Sequence, residues 1–414
     1  MPMTNDDSGV IEWAESGAMA LTGHRDGPPL VAPASIAAAA SAAAADLLAA
    51  SARWGEPVSV DGPAMMGERA AFSAMTRNGS VSVGGDARFV EAADGFVVLN
   101  LPRSEDVDSL PAIVEADVDP HDWVEVAARL ASIPADQVVD RATLLGVAAS
   151  RPGSVERLVA PASELHRGGE RRLSRCPVVI DLASLWAGPL LTSLLSEAGA
   201  RVIKVEGVGR PDGARRGPAG FFDLLNHDKE CIGVDFESGE GRDLLVALVS
   251  AADLVVEGSR PRVMERLGID PREVADGGTS WLSITGYGRD GQGANRVAFG
   301  DDAAVAGGLY VAGNPPLFVA DAVADPLAGL VGAAEAADLL GGVRAAALEV
   351  PLARAAAWAS GPEAVAEVEP LSGGWAVRID GELVPVAKPK ARPERRVAPA
   401  FDAHGGAIRA EFSV

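Results

Sequence analysis

The chain has 414 residues, 48% hydrophobic and 23% charged, ordinary for a globular protein and enough for two or three domains with buried cores. Its formal net charge of −22 argues against a nucleic-acid partner, because phosphate backbones are bound by lysine and arginine. Two cysteines without metal or redox spacing, a polar acidic start at Met1–Gly9 and the lack of any run apolar enough to span a bilayer indicate a cytoplasmic protein with no membrane partner and no metal.

Residues 1–75 are rich in Ala, Gly and Pro and read as mostly helical, with Ala37–Ala50 as a buried or interface helix. Residues 76–165 read as a small α+β domain. Ala87–Glu91 and Gly95–Leu101 are short strands joined at Asp94-Gly95, and His121–Ser132 and Pro134–Leu145 are helices. A polar stretch rich in Arg and Gly follows, and residues 166–176 are assigned as a linker.

From 177 to 414 the pattern changes. Val178–Leu182 is short and apolar, as a strand covered on both faces should be. Leu190, Leu191, Leu194 and Leu195 then recur at helical spacing, Gly199 ends the helix, and Arg201–Glu206 is a second strand. Cys231–Asp235, Asp253–Glu257 and Ser280–Thr285 continue as strands, separated by helices Gly239–Ala251 and Pro261–Leu267. The expected class is α/β, a doubly wound parallel (Rossmann-like) sheet with a smaller α+β domain. Pro316–Ala320 reads as a further short strand, and Trp375–Ile379 with Leu383–Ala387 as a hairpin turning at Asp380-Gly381.

The chain also repeats itself weakly. Ser16–Ala32 and Ala306–Ala320 share Gly, Pro-Pro-Leu and Val-Ala in the same order, and each is followed by an Ala-rich helix containing Ala-Asp-Leu-Leu. The second copy carries Asp325 where the first has Ala37.

No zinc, calcium, P-loop or nucleophile-elbow pattern is present, and Gly-x-Gly-x-x-Gly does not follow the first strand. Basic residues concentrate between Arg201 and Arg272, which suits an anionic small ligand or merely balances nearby acids. The remaining candidate for chemistry is Asp325, followed by Pro326 at the start of a helix. Asp-Pro there is first of all an N-cap with proline at the first helical position. The same placement suits a carboxylate nucleophile aimed at a thioester, with helix-terminal amides steadying the charge. Asp301 and Asp302 could supply a second carboxylate or could be caps themselves.

Asp181-Leu-Ala-Ser-Leu-Trp-Ala-Gly-Pro189 with Val202-Ile-Lys-Val-Glu206 resembles the opening of class III CoA-transferases, the family of formyl-CoA transferase and α-methylacyl-CoA racemase. Leu225-Asn-His-Asp-Lys229, Ala252–Pro261, Ser283-Ile-Thr-Gly-Tyr-Gly288 and Val323-Ala-Asp-Pro-Leu-Ala-Gly-Leu330 look like later family segments in the family's order, so the resemblance runs from about 177 to 357. It implies a CoA thioester as substrate rather than a tightly bound cofactor, with a carboxylic acid as acceptor and Asp325 as nucleophile. It also implies that Ala187, Gly188, Lys204 and Arg210 lie near CoA, with Asn226, Lys229, Arg260 and Gly286 at neighbouring strand ends and loops. A homodimer is expected on the same ground.

Two departures stand out. The small domain precedes the segment bearing the aspartate, so the chain looks like a rearranged member with an overlap. Asp301 stands where the racemase branch has histidine and transferases often have tyrosine. Three readings follow: CoA transfer through an aspartyl intermediate, acyl-CoA racemisation by a carboxylate acid/base pair, and a non-catalytic CoA-binding homologue.

Overall fold

The computed structural model describes residues 5–412 apart from 34, 158, 172–173, 363 and 394–395. The apolar runs after position 177 supply six strands of one seven-stranded sheet. Its strands lie in the order Ser163–Glu170, Arg344–Pro351, Ser280–Thr285, Leu254–Glu257, Val178–Leu182, Arg201–Gly207, Glu230–Val234. Every neighbouring pair is parallel except the first, in which Ser163–Glu170 runs antiparallel to Arg344–Pro351.

Both faces of this sheet are covered, which is why its central strands are apolar without alternation. Val179, Val202, Val256 and Leu282 pack with Leu190 and Leu191 of helix Ala187–Glu197 and with helix Ala324–Gly341. Ile180, Ile203, Ile232 and Val255 face the other way, against Leu245 and Leu248 of helix Gly239–Ala251 and Ile408 of Gly405–Phe412. From Val178–Leu182 the chain first steps outward through Arg201–Gly207, then returns to add Leu254–Glu257 on the other side. The crevice at the carboxyl ends of these two central strands is where such sheets bind ligands.

Helix Ala324–Gly341 is largely apolar because it is sandwiched, touching Ala187–Glu197 on one side and Ser35–Ser51 on the other. Small residues let it approach closely: a Cβ on Gly329 would stand 2.7 Å from the Ala187 carbonyl oxygen. The Ala-rich helices of the two sequence copies thus lie against each other, and Trp54 Nε1 seals the contact by donating to the Ala337 carbonyl at 3.0 Å.

A three-stranded antiparallel sheet, Ala87–Ala92, Gly95–Asn100 and Ala148–Ser150, packs with helices Leu110–Val114, Trp123–Leu130 and Ala135–Leu145 around its own core. Near the C-terminus, Glu367–Leu371, Gly374–Ile379 and Glu382–Pro385 form a second one, which touches helix Asn5–Ser16. Its expected turn is present, with Asp380 at φ 48° and Gly381 at φ 85°, the left-handed pair that a tight hairpin needs. No described helix is long and apolar enough to cross a membrane.

Two local expectations need correction. Residues 166–170 are not linker; they belong to the edge strand Ser163–Glu170. Its glycines answer a packing need, since a Cβ on Gly168 or Gly169 would fall 2.1 or 2.4 Å from the carbonyl oxygens of Ala275 and Asp276. The strand expected at Pro316–Ala320 shrinks to Leu317–Phe318, paired only with Tyr310–Val311.

Candidate active site

Helix Ala324–Gly341 runs back along the sheet before strand Arg344–Pro351, so its first turn lies at the carboxyl edge of the strands. Asp325 is in that turn but is not the N-cap. Ala324 opens the helix, Val323 precedes it at φ −57°, and Pro326 is third rather than first. The Asp325 carboxyl instead lies against Gly300, the first residue of helix Gly300–Ala306: a Cβ added there would stand 2.6 Å from Asp325 Oδ2. One carboxyl therefore sits at the positive ends of two helices. It stays partly open to solvent, and burial nevertheless pushes it up to about 7, against the pull of Arg69 and the Gly300 N–H.

Two further carboxylates and one guanidinium surround it. Asp301 Oδ1 accepts the Ala322 N–H at 3.1 Å, and burial together with the neighbouring Asp321 pushes Asp301 up to about 7. Asp321 is fully buried and is gripped by both arms of Arg69, with Nε at 2.9 Å from Oδ2 and Nη2 on Oδ1. Arg69 also lies over the Trp186 ring, 5.1 Å from its centroid, and Trp186 in turn meets Phe221 edge-on. The residues flanking Asp321 are strained. Ala320 and Ala322 have φ of 52° and 45°, a left-handed conformation costing about 1–3 kcal/mol per residue. Three contacts hold the bend: the Arg69 clamp, the Asp301 bond to Ala322, and Ala320 N–H donating to Thr22 Oγ1 at 3.1 Å.

Asp302 turns the other way. Its Oδ1 accepts from the Phe299 N–H at 2.8 Å and Asn100 Nδ2 at 3.0 Å, and its carbonyl accepts from Ser150 Oγ at 2.8 Å. It caps its helix and ties it to the small antiparallel sheet, with burial pushing it up to about 7. Of the three aspartates singled out in the sequence, the structure gathers Asp301 and Asp325 around Arg69 and gives Asp302 an architectural place.

The expected ligand residues divide in the same way. Ala187 and Gly188 open helix Ala187–Glu197 at the crevice; both are buried, and a Cβ on Gly188 would stand 2.1 Å from the Ala183 Cβ. Lys204 and Lys229 are buried and already occupied. Lys204 Nζ is 2.9 Å from Asp212 and 3.0 Å from the Ala183 carbonyl oxygen. Lys229 Nζ reaches Asp181 at 2.9 Å, and the Pro189 carbonyl and Asn226 Oδ1 at 3.0 Å each. Burial alone would raise Asp181, but Lys229 and Lys204 hold it below the usual carboxylate range. These buried lysines and Asn226 brace the strand–loop–helix from inside. Gly286 packs against Ala298, whose Cβ would lie 2.7 Å from an added Cβ.

Arg210 and Arg260 behave differently. Arg210 is exposed, Arg260 half-buried, and neither forms an ion pair among the described residues. Burial and the like charges of Arg262, Arg103 and Arg210 hold the Arg260 guanidinium below its ordinary value. Arg103 comes from the small domain and donates to the Gly146 carbonyl at 3.1 Å, so the cluster straddles both parts of the molecule. Sequence reasoning missed Arg69, Arg103 and Asp321. Arg69 and Asp321 are partners 252 positions apart, and Arg103 is paired locally with Asp106, so no local pattern marks any of them as part of a site.

Comparison with known proteins agrees with this architecture. Residues 177–375 match the family described as CoA-transferase family III. An acyl-CoA transferase of Fusarium pseudograminearum is 35% identical over 173 residues, 37% of this chain and 38% of its own length. A succinyl-CoA–D-citramalate CoA-transferase of Chloroflexus aurantiacus is 30% identical, over 36% of this chain and 40% of its own. An acetyl-CoA:oxalate CoA-transferase of Acetobacter aceti is 32% identical, over 40% and 43%. The chain thus spans about two-fifths of the length of these curated relatives. The region that matches CoA-transferase family III, from 177 to 375, builds six of the seven sheet strands and carries Asp325.

Proposed function

We propose that this protein moves CoA between an acyl-CoA thioester and a carboxylic acid, with Asp325 as the group that carries it. The observation that bears the weight is a partly open carboxyl at the carboxyl edge of the sheet, facing the N-termini of two helices. The Asp325 carboxylate attacks the thioester carbonyl, forming a mixed anhydride and releasing CoA thiolate. The thiolate then attacks the aspartyl carbonyl, giving an aspartyl-CoA thioester and freeing the first carboxylate. The acceptor carboxylate attacks that thioester, and the thiolate, released again, takes the acceptor's acyl group and leaves Asp325 as it began. Charge returns to the Asp325 oxygens at the second anhydride cleavage, when the thiolate takes the acceptor's acyl group, and the Gly300 N–H and both helix ends favour it there.

The arginine cluster fits the other end of such a substrate. Arg103 is paired with Asp106, but Arg210, Arg260 and Arg262 repel one another, and a polyanion relieves that repulsion. CoA brings a diphosphate and a 3′-phosphate, and Arg210, Arg260 and Arg262 are free to meet them. Donors and acceptors to try first are those in the relatives' names: succinyl-CoA, acetyl-CoA, oxalate and citramalate. The test is trapping with hydroxylamine during incubation with each acyl-CoA. A hydroxamate on the Asp325 peptide, lost in Asp325→Ala, supports the reading; turnover that survives this substitution refutes it.

A second reading draws on the same cluster. Asp301 and Asp325 both sit near neutrality, as a pair exchanging a proton with the carbon beside a thioester should. Deuterium entering that carbon from heavy water, without transfer of CoA, would select it.

A further inference from the structure

The N-terminal segment lies outside the region that matches the family, yet it grips the bend that leads into the candidate nucleophile. Two of its residues, Thr22 and Arg69, hold the strained bend at Ala320–Ala322 that leads into Asp325. Arg69 is the more informative. Its guanidinium is fixed from two sides, by the two-armed bond to buried Asp321 and by the Trp186 ring beneath it. Both Asp301 and Asp325 feel its charge. An arginine placed only to neutralise Asp321 would need neither the ring nor the approach to a third carboxyl.

We infer that Arg69 is a positioning residue for Asp325: clamped on Asp321 and stacked on Trp186, it fixes both the bend before Asp325 and a positive charge beside its carboxyl, so that the N-terminal segment completes the site in the same chain. This deepens the transferase reading and rests on it for its purpose. The charged groups facing Arg69 are Asp86, Asp301, Asp321 and Asp325. Asp321 is answered atom for atom, which leaves the outward field of the guanidinium for Asp301 and Asp325. A cation there favours the ionised carboxylate, the form that attacks.

The test needs no thioester. A water-soluble carbodiimide with an amine labels protonated carboxyls, and labelling of Asp325, read by peptide mass spectrometry, falls as pH rises through its ionisation. In Arg69→Met that fall should move up by about one pH unit or more, since a carboxylate loses a close opposite charge. Arg69→Lys should stay near the unaltered protein. The double variant Arg69→Met with Asp321→Asn removes one charge of each sign and should bring the fall back down. An unmoved fall in Arg69→Met overturns the inference, as does an equal shift in the single and double variants, which would report lost packing rather than lost charge. Because only the Asp325 carboxyl is read, failure of the transferase reading in the hydroxylamine experiment would leave this result standing, and the two can fail separately.

Discussion

A Cβ on Gly300 would stand 2.6 Å from Oδ2 of Asp325 and 2.2 Å from the carbonyl oxygen of Ala322. No real Cβ tolerates either distance, so the first residue of helix Gly300–Ala306 has to be glycine for the Asp325 carboxyl to lie against it. Gly300→Ala should therefore displace the carboxyl. The expected outcome is at least a tenfold loss of hydroxylamine trapping at Asp325, with a stability loss of about 1–3 kcal/mol from overpacking. Trapping at the native rate in a variant with a normal melting curve would show that the contact does not position the nucleophile.

Asp302 should leave its mark on stability rather than on chemistry. It titrates near 4 in an unfolded chain and is pushed up to about 7 by burial in the fold. Between those values the folded protein holds a proton that the unfolded chain releases, so Asp302's contribution to stability is lost progressively as pH rises. Asp302→Asn cannot ionise. Its melting temperature relative to the unaltered protein should therefore rise from pH 5 to pH 8, and melting curves across that range check it. A difference independent of pH would mean that Asp302 does not titrate in this window.

Lys229 offers a sharp contrast with a ligand-binding lysine. Lys229→Met leaves Asp181 buried beside Thr192 with its strongest partner gone. Breaking such a pair costs about 3–5 kcal/mol. Chemical denaturation should show that loss, and CoA affinity measured well below the melting temperature should change little. A stable variant with weakened CoA binding would reverse the assignment.

For Arg210 and Arg260 the expectation is the opposite. Alanine at either should leave the melting temperature within a degree or two, because neither carries an ion pair among the described residues. Each charge-assisted contact with a phosphate is worth about 1.5–3 kcal/mol, so CoA should bind about tenfold or more weakly. The salt dependence of binding, followed by calorimetry, should flatten at the same time. CoA binding unchanged in the double variant would remove the cluster from the substrate site.

How much of this could be read from the sequence varies with the range of the interaction. Val178–Leu182, the leucines after Gly188 and Arg201–Gly207 announce their strand, helix and strand through local periodicity, and the doubly wound sheet follows from them. The edge strand Ser163–Glu170 was hidden, because its glycines respond to the backbone of Ala275 and Asp276, which composition does not reveal. Lys204 and Lys229 read as ligand residues on resemblance, yet Lys204 lies between Ile203 and Val205 in a central strand, a local sign of burial. Asp325 was legible as a helix-start carboxylate. Its partner Arg69 was not, since the clamp on Asp321 spans 252 positions of chain. The repeat was visible as shared letters, but only the packing of Ser35–Ser51 on Ala324–Gly341 shows that the two copies meet.

Oxygen bookkeeping tests the central claim most directly. Each acceptor carboxylate that passes through an anhydride with Asp325 leaves one of its oxygens on the aspartate. Turnover with an acceptor labelled at both carboxylate oxygens with oxygen-18 should therefore place label in the Asp325 side chain, located by peptide mass spectrometry, and in no other carboxyl. Sustained transfer of CoA with an unlabelled Asp325 would contradict the account.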